Sequence, residues 1–310
     1  MSSFDRSKVA AALRELAGRQ VYIGTSSWKY DGWLGQVYSP WRYETRGRFS
    51  KKRFESTCLS EYAETFPIVC GDFSFYQFPS EEYWSKLFGS APAELLYAFK
   101  VPEQITAKVF PAHARYGALA GQTNGRFLDP GLFQDAFLRP LSSHAGQVAI
   151  LIFEFGTFSR KTYTQLRDFL ADLDHFLGAI PADFRYAVEI RNPELLRAEY
   201  FECLRRHHVA HVYNAWTRMP ELASQTALPE AHTADFTVTR ALLRRGRSYE
   251  QAVETFAPYR ETQEPNPEAR AALRGIIDHA TGQRQTAFIF VNNRLEGNAP
   301  QTIQALVESP

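Results

Sequence analysis

Eight short apolar runs, each closing on a polar or charged residue, constrain this chain more than any other feature. They occupy 21–26 (VYIGTS), 68–72 (IVCGD), 96–100 (LYAFK), 149–154 (AILIFE), 186–191 (YAVEIR), 210–214 (AHVYN), 236–240 (FTVTR) and 287–293 (AFIFVNN). Runs that are apolar on both alternating faces suit parallel strands covered on both sides. Eight of them, mostly separated by helix-like stretches, predict a closed (β/α)₈ TIM-like barrel. A barrel of this type carries its active site at the C-terminal ends of its strands. Here those ends bear Asp, Lys, Glu, Arg and Asn.

The length of 310 residues suits one such domain. We therefore read 1–310 as a single barrel domain, with an N-terminal helix at about 5–17 and the barrel proper over about 20–308. The hydrophobic share of 45% against 22% charged is enough for a large core. A formal net charge of +1 gives no global attraction to nucleic acid or membrane. The three cysteines, Cys58, Cys70 and Cys203, lie far apart, which argues against a disulfide framework and fits a reducing compartment. The first residues lack an apolar signal core, and no run approaches the roughly 18 apolar residues of a membrane span. These features predict a soluble cytoplasmic protein.

Between the strands, Val9, Leu13 and Leu16 form one stripe of the N-terminal helix. A polar and aromatic loop runs from the first strand to about Ser50, and a helix follows over about 51–65. The second strand is read as entering 73–79. Ser80 reads as an N-cap, as do Asp129 before Pro130, Asn192 before Pro193, and Asn298. Helices are expected over 130–139, along the stripe Tyr163, Leu166, Leu170, Leu173 and Leu177, and over 266–281 and 299–307. Long connections follow strands one, three and seven, and long strand-to-helix loops build pockets.

Alternation along a strand assigns side chains to faces. Glu189 shares a face with Ala187 and Arg191, Asp72 with Cys70, Lys100 with Ala98, Glu154 with Ile152, Asn214 with Val212, and Arg240 with Val238. The apolar alternates should meet the helices, so the charged residues should point into the barrel mouth. An unpaired buried charge costs several kcal/mol. The expected arrangement is therefore an ion-pair network of Asp72, Glu154 and Glu189 with Lys100, Arg191 and Arg240. It is either a self-satisfied plug or a polar pocket whose charges meet a substrate.

Three carboxylates could also hold a divalent metal. A zinc or His-carboxylate iron site is disfavoured, because His211 begins a strand and sits at the wrong end. Lys100 is expected to be ion-paired rather than a Schiff-base lysine. Arg240, with Arg244, Arg245 and Arg247 beyond it, and Asn292 with Asn293, occupy the two loops where barrels commonly bind phosphate. Arg244, Arg245 and Arg247 read equally well as a solvated turn. Trp28, Tyr30, Trp33, Tyr76, Phe155 and Trp216 offer rings for stacking a sugar or base, or for packing loops onto the rim. Cys70 reads as a buried, inert thiol. No Walker loop, GxGxxG, HExxH or GxSxG occurs, so no organic cofactor is indicated.

Several of these residues fall in a pattern that resembles the bacterial and archaeal family called domain of unknown function 72, the YecE-like proteins. The pattern comprises 23–30 (IGTSSWKY) with Trp33 and Gly35, Phe75-Tyr76 with Pro79 and Trp84, and 99–102 (FKVP) with Ile105-Thr106. It continues through 188–191 (VEIR), 214–216 (NAW) and Asn292-Asn293 with Gly297. The resemblance implies a TIM-like barrel and supplies no activity. It also implies that Cys70, Ala107 and Asn192 stand where relatives commonly have Glu, His and His. Those differences weaken any mechanism that needs a second carboxylate on strand two or a histidine.

The expected function is an enzyme acting on a small anionic or polyhydroxylated substrate, a sugar phosphate or nucleotide-like compound, by acid–base chemistry. Glu189 is the expected general base or acid. Arg191 and Lys100 would orient it or hold substrate charge, Arg240, Asn292 and Asn293 would bind an anionic group, and Asp72 with Glu154 would complete the network or a metal site. Asn214 and the aromatic residues would complete the substrate pocket. The alternatives are a non-catalytic metabolite-binding barrel and a metal-dependent phosphodiester or nucleic-acid hydrolase, the latter disfavoured by the net charge.

Overall fold

The computed structural model describes residues 4–159, 162–163 and 165–308. Its eight barrel strands are β1 (Val21–Thr25), β2 (Ile68–Gly71), β3 (Leu96–Lys100), β4 (Val148–Glu154), β5 (Tyr186–Glu189), β6 (Ala210–Ala215), β7 (Phe236–Ala241) and β8 (Thr286–Val291). Each pairs in parallel with its sequence neighbours, and β8 closes on β1, giving the (β/α)₈ barrel expected from the apolar runs.

The alternation reading holds. One cluster, built on Ile68, Cys70, Ala98, Ile150, Ile152, Ala187, Val212, Val238, Phe288 and Phe290, fills the barrel interior. The opposite alternates, among them Val69, Phe99, Leu151, Phe153, Val188, Tyr213 and Ile289, join the larger cluster beneath the helices. Large and small side chains are matched across strands. Gly24 lies in register with Phe290, and a Cβ added at Gly24 would stand 1.9 Å from the Ile68 carbonyl oxygen. This glycine lets β2 approach β1, where the two strands are joined in register only at Thr25 and Val69.

The N-terminal helix (Arg6–Gly18) is capped by Asp5 and buries Val9, Ala10 and Leu13, with Leu16 partly buried against the same core. It is tied to the helix Lys51–Ala63 through Arg6, which pairs with the buried Glu61 at 2.9 Å. Glu61 also accepts from Ser39 and Tyr43, so one carboxylate fastens the N-terminal helix, the first loop and the first barrel helix. That loop is not featureless, since it carries two 3₁₀ turns and a short hairpin of Glu44–Thr45 with Arg48–Phe49.

Ser80, Asp129 and Asn298 cap their helices as their positions predict. Asn192 does not. Its side chain instead bonds the backbone of Phe158 at 2.6 and 3.1 Å, and only a 3₁₀ turn follows it before the helix Ala198–Arg206. The second strand stops at Gly71 rather than entering 73–79, because Phe73–Phe75 turns into a 3₁₀ helix. The helix over 130–141 contains a π-helical stretch, Gln134–Leu138. Pro140 lacks the amide that a regular α-turn needs, and a widened turn accommodates its ring. The helix after β4 is Leu166–Ala179, and it buries Phe169, Leu173, Phe176 and Leu177, so Tyr163 lies outside it. The last two expected helices appear as Pro267–Gln283 and Ala299–Val307. A helix at Tyr249–Phe256, set by the Ser248–Gln251 capping box, was not anticipated. No described helix is long and apolar enough to cross a membrane.

Candidate functional site

The six charged residues expected at the mouth converge. Glu154 and Glu189 stand opposite each other in the β4–β5 register, a like-charge pair that needs cations. Two arginines supply them. Arg240, in register with Asn214, reaches across the barrel from β7. Its Nη1 donates to Glu154 Oε2 at 2.6 Å and to Glu189 Oε2, and its Nη2 donates to Asp72 Oδ1 at 3.2 Å. Arg191 Nη2 lies 2.7 Å from Glu189 Oε1 and 3.2 Å from Glu154 Oε2. Lys100 Nζ sits 3.1 Å from Glu154 Oε2 and 3.7 Å from Asp72 Oδ1, and 4.0 Å from the Phe75 ring centroid.

Burial grades the network. The side chain of Glu189 is 0% exposed and that of Arg240 2%, whereas Glu154 is 15% and Asp72 29% exposed. Glu189 forms the floor, with both oxygens facing arginines. Glu154 differs, because all three cations gather on Oε2 while Oε1 has no partner among the described residues. Burial would raise the Glu154 pKa, but Lys100, Arg191 and Arg240 hold it well below the usual carboxylate range. Burial disfavours the Lys100 ammonium, yet Glu154 and Asp72 raise its pKa, so it stays protonated and ion-paired. Burial pushes the Cys70 thiol up to about 12, which fits the inert reading.

The sign of the Glu154 effect sets a pH dependence. A carboxylate depressed in the fold adds stability above its unfolded pKa of about 4.3 and loses it as pH falls through the folded value. Glu61, also lowered because bonds from Tyr43, Ser39 and Arg6 outweigh its burial, contributes with the same sign. Burial holds the His211 imidazole down to about 3, so only the unfolded chain protonates it below about pH 6.5. The urea midpoint of the protein should therefore begin to fall below about pH 6.5, and a further acid limb from the two carboxylates should follow below about pH 4. Glu154→Gln should flatten that acid limb, and an unchanged limb would rule out this role.

A cavity of about 390 Å³ opens beside Glu154. Phe75, Glu103, Thr106, Lys108, Gly156 and Phe158 are among its walls. Most of these lie on the connections after β3 and β4. Phe75 and Thr106 belong to the family pattern, whereas Glu103, Lys108, Gly156 and Phe158 were not singled out in the sequence, and the only signal for Glu103 and Lys108 was the length of the connection after β3. Glu103 is held by Arg115 at 2.9 Å and by the Tyr116 hydroxyl. Lys108 is held by Asp172 at 3.1 Å.

The chain matches the model of the family described as "Protein of unknown function DUF72" over residues 22–309. The chain belongs to this family. Among curated proteins it is similar to the UPF0759 protein YecE of Escherichia coli K12, 24% identical over 174 residues, or 56% of this chain and 49% of that protein. The chain thus spans about half the length of the curated relatives it matches. Among solved structures it is similar to a DUF72 family protein of Thermotoga maritima MSB8, at 20% identity and TM-score 0.58, covering 92% of this chain and 97% of that one. A DUF72 family protein of Enterococcus faecalis V583 gives 15% identity and TM-score 0.59, covering 94% and 96%. Identities this low carry the barrel fold and nothing about chemistry.

Several residues of the family pattern serve structure. Trp33 is wholly buried and offers no stacking face; its Nε1 donates to Asn293 Oδ1 at 3.2 Å. The same oxygen accepts from the Ala299 amide, so Asn293 joins the first loop to the start of the last helix. Asn292 is buried and accepts from the Arg294 amide. Trp28 is 5% exposed and packs edge-on against Phe73. Tyr30 lies between Trp33 and Tyr259, and burial pushes its hydroxyl up to about 12. Phe155 is buried against Phe158 and Phe169.

Asn214 is buried and donates to the Ile190 carbonyl at 3.2 Å. The half-buried Trp216 ring covers the Arg191 guanidinium at 3.9 Å. Tyr76 is 53% exposed beneath Arg115. Arg244 donates to the backbone of Glu264 and Pro265, and Arg247 pairs with Glu264 at 2.5 Å, so the basic turn after β7 is tied down by its neighbours. His211 is buried, with Nδ1 3.0 Å from the Tyr200 hydroxyl. Among the described residues, no group of three or more His, Cys, Asp or Glu side chains is placed to hold a metal ion. The donor chemistry agrees, since Asp72, Glu154 and Glu189 each converge on cations.

Proposed function

We propose that the barrel mouth binds a small polyhydroxylated molecule and acts on it by acid–base chemistry, with Glu154 as the group that meets the ligand. What supports this reading is that Glu154 lines the cavity with its Oε1 unpartnered among the described residues, while Lys100, Arg191 and Arg240 keep the carboxylate ionised. An ionised carboxylate with a free oxygen accepts hydrogen bonds from hydroxyl groups. Phe75 and Phe158 supply apolar faces for the C–H side of such a ligand.

The charge balance favours hydroxyls over an anion. Three cations face three carboxylates, which leaves no surplus positive charge at the mouth. Asp72, the most exposed member of the network, is the second carboxylate within reach of solvent and the better placed to exchange a proton. Glu189 acts through Arg191 and Arg240 as a positioning residue. Binding without turnover is the second reading, supported by the same depressed pKa, because a carboxylate held ionised is a weak base.

Calorimetric titration with a panel of sugar alcohols, aldoses and aldose phosphates tests the site. At least one member should bind. Glu154→Gln should weaken it by about 10–100-fold, the value of one charge-assisted hydrogen bond. Gly156→Leu should block it while leaving the network intact, because the space around Gly156 is open. Binding unaffected by both variants, or no binding across the panel, would overturn the proposal. NMR of the bound ligand over hours separates turnover from binding alone.

A further inference from the structure

We infer a second ligand site, separate from the mouth, on the barrel flank between the helices Lys51–Ala63 and Glu81–Phe88. It takes small organic anions that join a phosphate-like group to a flat apolar body. A cavity of about 340 Å³ lies there. Its floor is apolar, built from Leu59 and Leu87, and Trp28 and Tyr83 contribute rings.

Its rim is cationic. Lys29, Lys52 and Lys86 all line it, three of the chain's eight lysines. None of the three forms an ion pair with any described residue, in contrast to Lys8, Lys51, Lys100 and Lys108. The one acid on the lining, Glu55, lies 3.9 Å from Lys51. Lys29 also stands 5.4 Å from the Trp28 ring centroid.

Unpaired cations gathered around one cavity create a local positive potential, which a chain of net charge +1 otherwise lacks. Lysines bind phosphate as point charges, and the rings and leucines shelter an apolar body. The mouth has the opposite character, with every cation matched to a carboxylate.

The probe is 1-naphthyl phosphate, with inorganic phosphate and 1-naphthol as its two halves, titrated calorimetrically into the full chain at low salt. Naphthyl phosphate should bind, and each half should bind at least about tenfold more weakly. The variant Lys29→Gln/Lys52→Gln/Lys86→Gln should lose about tenfold or more in affinity. A control with the same change in net charge, Lys8→Gln/Arg14→Gln/Arg19→Gln, should stay within about twofold. Glu154→Gln should not change the affinity, which separates this site from the mouth. Absence of binding, equal loss in the two triple variants, or loss in Glu154→Gln alone would each overturn the inference.

Discussion

Arg240→Met should lower the unfolding free energy by about 3–5 kcal/mol, because removing one partner of a buried ion network leaves uncompensated charge behind. The Arg240 guanidinium reaches Asp72, Glu154 and Glu189 at once, from the far side of the barrel. Without it, Glu189 and Glu154 remain adjacent in register with only Arg191 in contact with both. Lysine should not substitute, since a single ammonium lacks the two-sided fork that spans three carboxylates. The double variant Arg240→Met/Glu189→Gln should recover part of the loss, a coupling expected of residues in direct contact. Urea unfolding of the four proteins of this cycle gives the result. A loss below about 1 kcal/mol would mean that the network is solvated like a surface pair.

Gly24→Ala should destabilise by about 3 kcal/mol or more, at or beyond the upper end of overpacking effects. The added Cβ would fall 1.9 Å from the Ile68 carbonyl oxygen and 2.8 Å from its carbon. Both are backbone atoms, so no side-chain rotation relieves the clash. Relief requires β1 and β2 to separate where the barrel closes. Gly156→Ala is the control, because nothing lies within 4 Å of an added Cβ there. A Gly24→Ala midpoint equal to that of the control would show that the barrel closes by another route.

The features legible in the sequence were those governed by a short period. Alternation placed Asp72, Lys100, Glu154, Glu189, Arg191 and Arg240 on the inward face because a strand turns its side chains every second residue. Charge pairing then followed from the expense of burying any of them alone. The rings after β1 were less legible. Composition cannot tell a tryptophan that stacks on a ligand from Trp33, which is sealed in the core by Asn293. The Asn192 cap signature failed for a tertiary reason, since the Phe158 backbone offered its side chain a better partner. Of the cavity walls on the loops after β3 and β4, Thr106 was marked by the family pattern, but Glu103, Lys108, Gly156 and Phe158 were not singled out, because irregular chain has no period to read. The choice of Glu154 over Glu189 as the ligand-facing carboxylate needed three dimensions. Both end barrel strands, and what distinguishes Glu154 is its partial exposure, its place beside the cavity and the convergence of Lys100, Arg191 and Arg240 on one of its oxygens.

The most direct test of the account is a crystal structure of the protein with the tightest-binding polyhydroxylated member of the panel. The account predicts density in the cavity beside Phe75 and Phe158, with a ligand hydroxyl donating to Glu154 Oε1 and the six-residue network unchanged. Ligand density elsewhere with this cavity empty, or a ligand that avoids Glu154, would contradict it.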